Sequence, residues 1–97
     1  MGHARYDDLR DLEDVLAAIR KLEGITEPTP GIFYLRRAPF LHFHTKDGQR
    51  WADAKIGKSW GPEIPIPFEC AQRAKLAFLR QVRERHSVTM DASPKAR

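Results

Sequence analysis

The chain has 97 residues, 41% hydrophobic and 31% charged, with 17 Lys and Arg against 13 Asp and Glu and a formal charge of +4. That length allows one hydrophobic core and not two, and the composition argues against wholesale disorder. No apolar run is long enough to span a bilayer, "MGHARYDDLRDLEDV" lacks an apolar signal core, and the single cysteine, Cys70, excludes an internal disulfide and a cysteine-based zinc finger.

In chain order, "DLRDLEDVLAAIRKLE" (8–23) sets Leu9, Leu12, Val15, Leu16, Ile19 and Leu22 on one side at helical spacing. Asp7 or Asp8 suits the helix start, and Gly24 suits its end. "TEPTPG" (26–31) reads as a stiff connector, because its prolines fix their own φ and push their predecessors out of the helical region. "IFYLRR" (32–37), "FLHFHT" (40–45) and "RWADAKI" (50–56) read as strands, with a turn or bulge at Ala38-Pro39. Asp47-Gly48 is a strong hairpin signal, since a type I′ turn needs positive φ at both central positions.

"GKSWGPEIPIP" (57–67) reads as a loop with room for a short edge strand at 63–66. From Pro67, "FECAQRAKLAFLRQVRERH" forms a second helix to about His86, with Phe68, Ala71, Ala74, Phe78, Leu79 and Val82 as its apolar stripe. The expected fold is α+β: helix, an antiparallel meander of three or four strands, helix, with both helices on one sheet face. Residues 1–86 make the single domain, and 87–97 are expected to be a flexible tail. A soluble, cytoplasmic protein is expected, without a membrane partner.

With Asp47 and Gly48 at the turn, His44 faces Trp51, His42 faces Asp53 and Phe40 faces Lys55, while Leu41, Phe43, Ala52 and Ala54 take the opposite face. Cross-strand neighbours have Cβ atoms about 4.5–5.5 Å apart, so His42 and Asp53 can form an imidazole–carboxylate pair that raises the histidine pKa. His42, His44 and Asp53 also supply the ligand types of a two-histidine, one-carboxylate metal site. Tyr34 and Arg36 or Arg37, on the preceding strand, are expected to border the patch, so the candidate ligand-binding residues are His42, His44, Asp53, Trp51, Arg36 and Tyr34. The plainer alternative is that these pairs stabilise the sheet, by roughly 0.2–1 kcal/mol each. His3 and His86 read as solvated side chains near the chain ends.

Three functions stay open. A binding module comes first, since Tyr34, Phe40, His42, His44 and Trp51 ringed by Arg36, Arg37, Arg50 and Lys55 combine stacking surfaces with charge suited to a polyanion or single-stranded nucleic acid. A homodimer or protein-interaction domain is the second reading, drawing on Trp, Tyr and Arg and on Leu76 among charged helix residues. The third is a small enzyme with His42 as general base oriented by Asp53. No phosphate-cradling glycine loop or nucleophile elbow occurs, and no cofactor is implied. "PGIFYLRRAPFLHFH", with its PF-x-H-F-H strand, resembles the central strands of small uncharacterised bacterial α+β proteins over about half of the chain. That resemblance implies no activity.

Overall fold

The structure, a computed structural model, describes residues 2–92. Strand β1 (Gly2–His3) is followed by a 3-10 helix (Tyr6–Leu12) that runs into α1 (Glu13–Arg20). Next come β2 (Ile25–Thr29), β3 (Ile32–Leu35), β4 (Ala38–Lys46), β5 (Gln49–Ile56), β6 (Ser59–Trp60), β7 (Ile64–Pro65) and α2 (Gln72–Ala92). The fold is α+β with an antiparallel sheet, as expected, but the sheet has seven strands rather than three or four, three of them only two residues long.

The spine of the sheet is β2-β3-β4-β5-β6. β5 pairs with β4 from Leu41 to Lys46, so β1 and β3 share the other side of β4, β3 reaching His42 and β1 pairing with His44 and Thr45. On the far side of β5, β6 pairs at Lys55–Ile56 and β7 at Trp51–Ala52. The β4–β5 register is the one the Asp47-Gly48 turn sets, with φ of 52° and 78° at those two residues.

Several elements depart from the sequence expectation, each for a local reason. The first helix begins as 3-10, whose three-residue repeat brings Leu9 and Leu12 to one side before the α-helical Val15, Leu16 and Ile19 continue the stripe. The expected connector at 26–31 contributes β2, in which Pro28 is tolerated because β2 pairs only with β3 and its register is broken between Thr26 and Thr29. The β3–β4 turn is Arg36-Arg37, both at positive φ (51° and 74°), so of the turn or bulge expected at Ala38-Pro39 the structure has the bulge, beside Pro39.

A bulge follows that turn. Phe33 pairs with Leu41 and Tyr34 with Pro39, leaving Phe40 as the extra residue. Phe40 is thereby taken off the face it was expected to share with His42, and lies fully buried against His86 of α2, with ring centroids 6.1 Å apart.

The second helix starts at Gln72 and extends to Ala92 instead of ending near His86. Its last turns are anchored by Thr89, whose hydroxyl accepts the Gly57 N–H at 3.0 Å, and by Arg85, which donates to the Ala54 and Pro62 carbonyls at 2.9 and 2.8 Å. The rest of the expected tail, 93–97, lies outside the described residues. Among the described residues, no helix is long and apolar enough to cross a membrane.

One core joins Leu9, Leu12, Val15, Leu16 and Ile19 to Phe33, Leu41, Phe43, Ala52 and Ala54 of the sheet and to Phe78, Leu79 and Val82 of α2. Gly31, in the β2–β3 turn, is packed into the same region at φ 82°, where a Cβ would overlap Leu9 Cδ1. Gly31→Ala combines a left-handed backbone penalty with overpacking, and is expected to cost about 2–4 kcal/mol in urea unfolding with an unchanged m-value.

Candidate metal centre on the outer sheet face

Alternation along β4 and β5 sends Leu41, Phe43, Ala52 and Ala54 into the core and leaves His42, His44, Trp51, Asp53 and Lys55 on the opposite face. The sequence-derived register holds here: His42 is opposite Asp53 and His44 is opposite Trp51. β1 adds a residue the sequence reading set aside, because His3 pairs with His44 across the ladder. Its ring centroid lies 4.9 Å from that of His42 and 5.1 Å from that of His44, and the His42 and His44 rings are 4.5 Å apart. Each of the three histidines offers a ring nitrogen, and the three atoms all lie within 4.8 Å of one another.

Two indoles flank the cluster. Trp51 stacks on His44 at 5.5 Å, and Trp60, opposite Lys55 on β6, meets the His42 ring edge-on at 4.7 Å. The Lys55 ammonium sits 5.2 Å from the Trp60 ring centroid.

Asp53 makes its close contact on the diagonal and not with the histidine directly opposite. Its Oδ2 is 3.0 Å from His44 Nε2, with the two side chains 20% and 25% exposed. An Nε2–H donated to the carboxylate places the imidazole lone pair on Nδ1, the arrangement in which a carboxylate orients a metal-ligating histidine. His42 Nδ1 is buried and, among the described residues, has no hydrogen-bond partner. Burial, followed by the neighbouring His44 and His3, pushes the His42 pKa below its ordinary value of 6.5, and Asp53 opposes that shift without overturning it. The expected increase is therefore reversed, and His42 favours its neutral form, in which a ring nitrogen carries a lone pair.

The remaining sequence candidates stand elsewhere. Tyr34 is half-buried opposite Pro39, and Arg36 is exposed in the β3–β4 turn, both toward the other end of β4 from His44. Arg50 points away from the outer face and its side chain is fully enclosed, while Phe40 lies in the core. The ring of aromatic and basic residues expected on this face thus loses Phe40 and Arg50 to the interior, and Tyr34 and Arg36 stand apart from the histidines. The convergent donors are His3, His42 and His44, with Asp53 behind His44 in place of serving as the third donor. No sequence signal marks His3, because a two-residue strand is too short to show alternation.

No protein-family model, curated protein or solved structure matches this chain.

Proposed function

We propose that the protein is a metal-binding module, with His3, His42 and His44 as donors to a divalent first-row transition ion. The observation that carries this reading is the convergence of three imidazole nitrogens within 4.8 Å on one face of a sheet. Zinc–nitrogen bonds of about 2.0–2.1 Å at a tetrahedral centre set donor separations of roughly 3.3 Å, so nitrogens that lie within 4.8 Å of one another need to draw together by at most about 1.5 Å. Imidazole donors suit zinc, copper, nickel and cobalt, and the cluster contains neither the thiolates of an iron–sulfur site nor the several oxygens that calcium requires.

Two further features support the reading. The orphaned His42 Nδ1 is a buried polar atom of the kind that costs free energy unless something binds it. Asp53 in turn gives His44 the carboxylate partner that metal-ligating histidines commonly have. The general-base alternative is weakened by the same contact, since the carboxylate orients His44 and leaves His42 unaided.

Isothermal titration with zinc at neutral pH is expected to give one site per chain, accompanied by NMR shifts at His3, His42 and His44 and none at His86. An absence of saturable binding, or shifts confined to His86, overturns the proposal.

A further inference from the structure

We infer that Arg85 is the anion-binding group of a second site, a small cavity between α2 and the end of β5, and that this cavity takes a monocarboxylate with a short aliphatic tail. The site uses none of the three histidines.

Buried charge is the first argument. Among the described residues two arginines are buried, Arg50 at 2% exposure and Arg85 at 9%. Arg50 is paired with the Asp11 carboxylate through hydrogen bonds of 2.7 and 2.9 Å. The Arg85 guanidinium rests instead on two neutral groups, donating through Nη1 to the Ala54 carbonyl and through Nη2 to the Pro62 carbonyl. Burial pushes its pKa below the ordinary value, and Asp53, whose close contact is with His44, opposes the shift without overturning it. A buried cation seated on neutral acceptors, with only part of a five-donor fork spent on them, is a group that an added carboxylate stabilises.

The surroundings are the second. Arg85, Ile56, Gln81, Glu84 and Val88 line a cavity of about 220 Å³. Gly61 marks where its charged and apolar parts meet, since a Cβ there would lie 2.9 Å from Arg85 Nη1 and 2.7 Å from Ile56 Cδ1. Ile56 and Val88 are 43% and 47% exposed, so aliphatic surface stands uncovered beside the buried charge. The volume falls below the roughly 300–1,000 Å³ of pockets for drug-sized molecules, which restricts the ligand to a small one.

Charge selection is the third. Glu84 lines the same cavity and is exposed, so a dianion that approaches Arg85 also meets a like charge. A single carboxylate takes the guanidinium and leaves its tail on Ile56 and Val88. Inorganic phosphate has no tail to bury there.

NMR of the 97-residue chain tests this. Butyrate, titrated at constant ionic strength, is expected to shift the Arg85 Nε–H and the Ile56 and Val88 methyl resonances saturably, whereas butyramide leaves them in place. Arg85 also anchors α2, so the decisive variants are at exposed positions that spare the fold. Val88→Asp is expected to weaken butyrate binding roughly two- to fivefold, and Glu84→Gln is expected to tighten it by a similar factor, in the range of partly exposed charge pairs. Shifts that never saturate, equal shifts with butyramide, or unchanged affinity in Val88→Asp overturn the inference. Unchanged affinity in Glu84→Gln overturns the part assigned to Glu84, and phosphate binding more tightly than butyrate overturns the ligand class.

Discussion

Replacing Arg50 by alanine is expected to cost about 3–5 kcal/mol, a large share of the roughly 5–15 kcal/mol that holds a domain of this kind folded. The Arg50 guanidinium spends all five of its donors inside the protein. Nε donates to the Ile66 carbonyl at 2.7 Å, Nη1 to the Asp8 carbonyl at 2.6 Å and to Asp11 Oδ1 at 2.7 Å, and Nη2 to Asp11 Oδ2 at 2.9 Å and to the Pro67 carbonyl at 2.7 Å. The Phe68 ring covers it at 4.3 Å. Asp11 also accepts the Glu69 N–H, so one ion pair ties the 3-10 helix, β5 and the segment leading into α2 together. Removing the arginine strands a carboxylate and three carbonyls that have lost their partner, and Arg50→Lys cannot replace a bidentate fork. Urea unfolding measures both variants, and a loss below about 1 kcal/mol in Arg50→Ala contradicts the account.

Acid should expose the same pair. The hydrogen bonds from Arg50 hold the Asp11 carboxyl well below its ordinary value of 3.8, at about 2, against the opposing effect of burial. A folded-state pKa below the unfolded one means that the ionised form stabilises the fold. That contribution is fully present above pH 4 and is lost as pH falls from about 4 through about 2. In Arg50→Ala the part of the acid transition that belongs to Asp11 is expected to move up toward pH 4, which unfolding curves taken at a series of pH values would record.

At the histidine cluster, His42→Ala is expected to lower zinc affinity by more than 100-fold, exceeding the 10–100-fold loss typical of an outer partner. Asp53→Asn is expected to fall within that 10–100-fold range and to retain one ion per chain, because it disturbs the orientation and basicity of His44 without removing a donor. The two effects are separable by titration. Equal losses in both variants would place Asp53 on the ion itself, and no loss in either would remove the cluster from metal binding.

Much of the sheet face was legible in the sequence because a period of two and a turn of known type leave little freedom. Once Asp47-Gly48 is placed, the positions of His42, His44, Trp51 and Asp53 follow, and so does the inward row of Leu41, Phe43, Ala52 and Ala54. The same alternation puts Arg50 in the inward row with Ala52 and Ala54, yet a buried arginine is intelligible only beside its acid, and Asp11 is 39 residues away in the chain. Phe40 was misplaced because a bulge adds one residue and so reverses the parity of what precedes it. Arg36-Arg37 carries none of the Gly, Asn or Asp residues that announce a type I′ turn, and it is the pairing of Leu35 with Ala38 that forces both arginines to positive φ. Which histidine receives Asp53, and which third histidine joins the pair, depend on side-chain directions and on a strand too short for any pattern.

The brevity of β1 has a thermodynamic consequence for the site it completes. His3 is held in place by the Gly2–Thr45 and His3–His44 pairings and by the Ala4 N–H, which donates to the Phe43 carbonyl at 2.9 Å. A strand of two residues held by so few hydrogen bonds is expected to open at a small free energy, so that the three histidines stand together only in a fraction of molecules at any instant. The apparent dissociation constant for an ion is the intrinsic one divided by that fraction. On the proposed metal-binding reading, affinity at the cluster is set partly by backbone hydrogen bonds that never touch the ion, and ion binding is expected to slow the exchange of the amides of residues 2–4 with solvent.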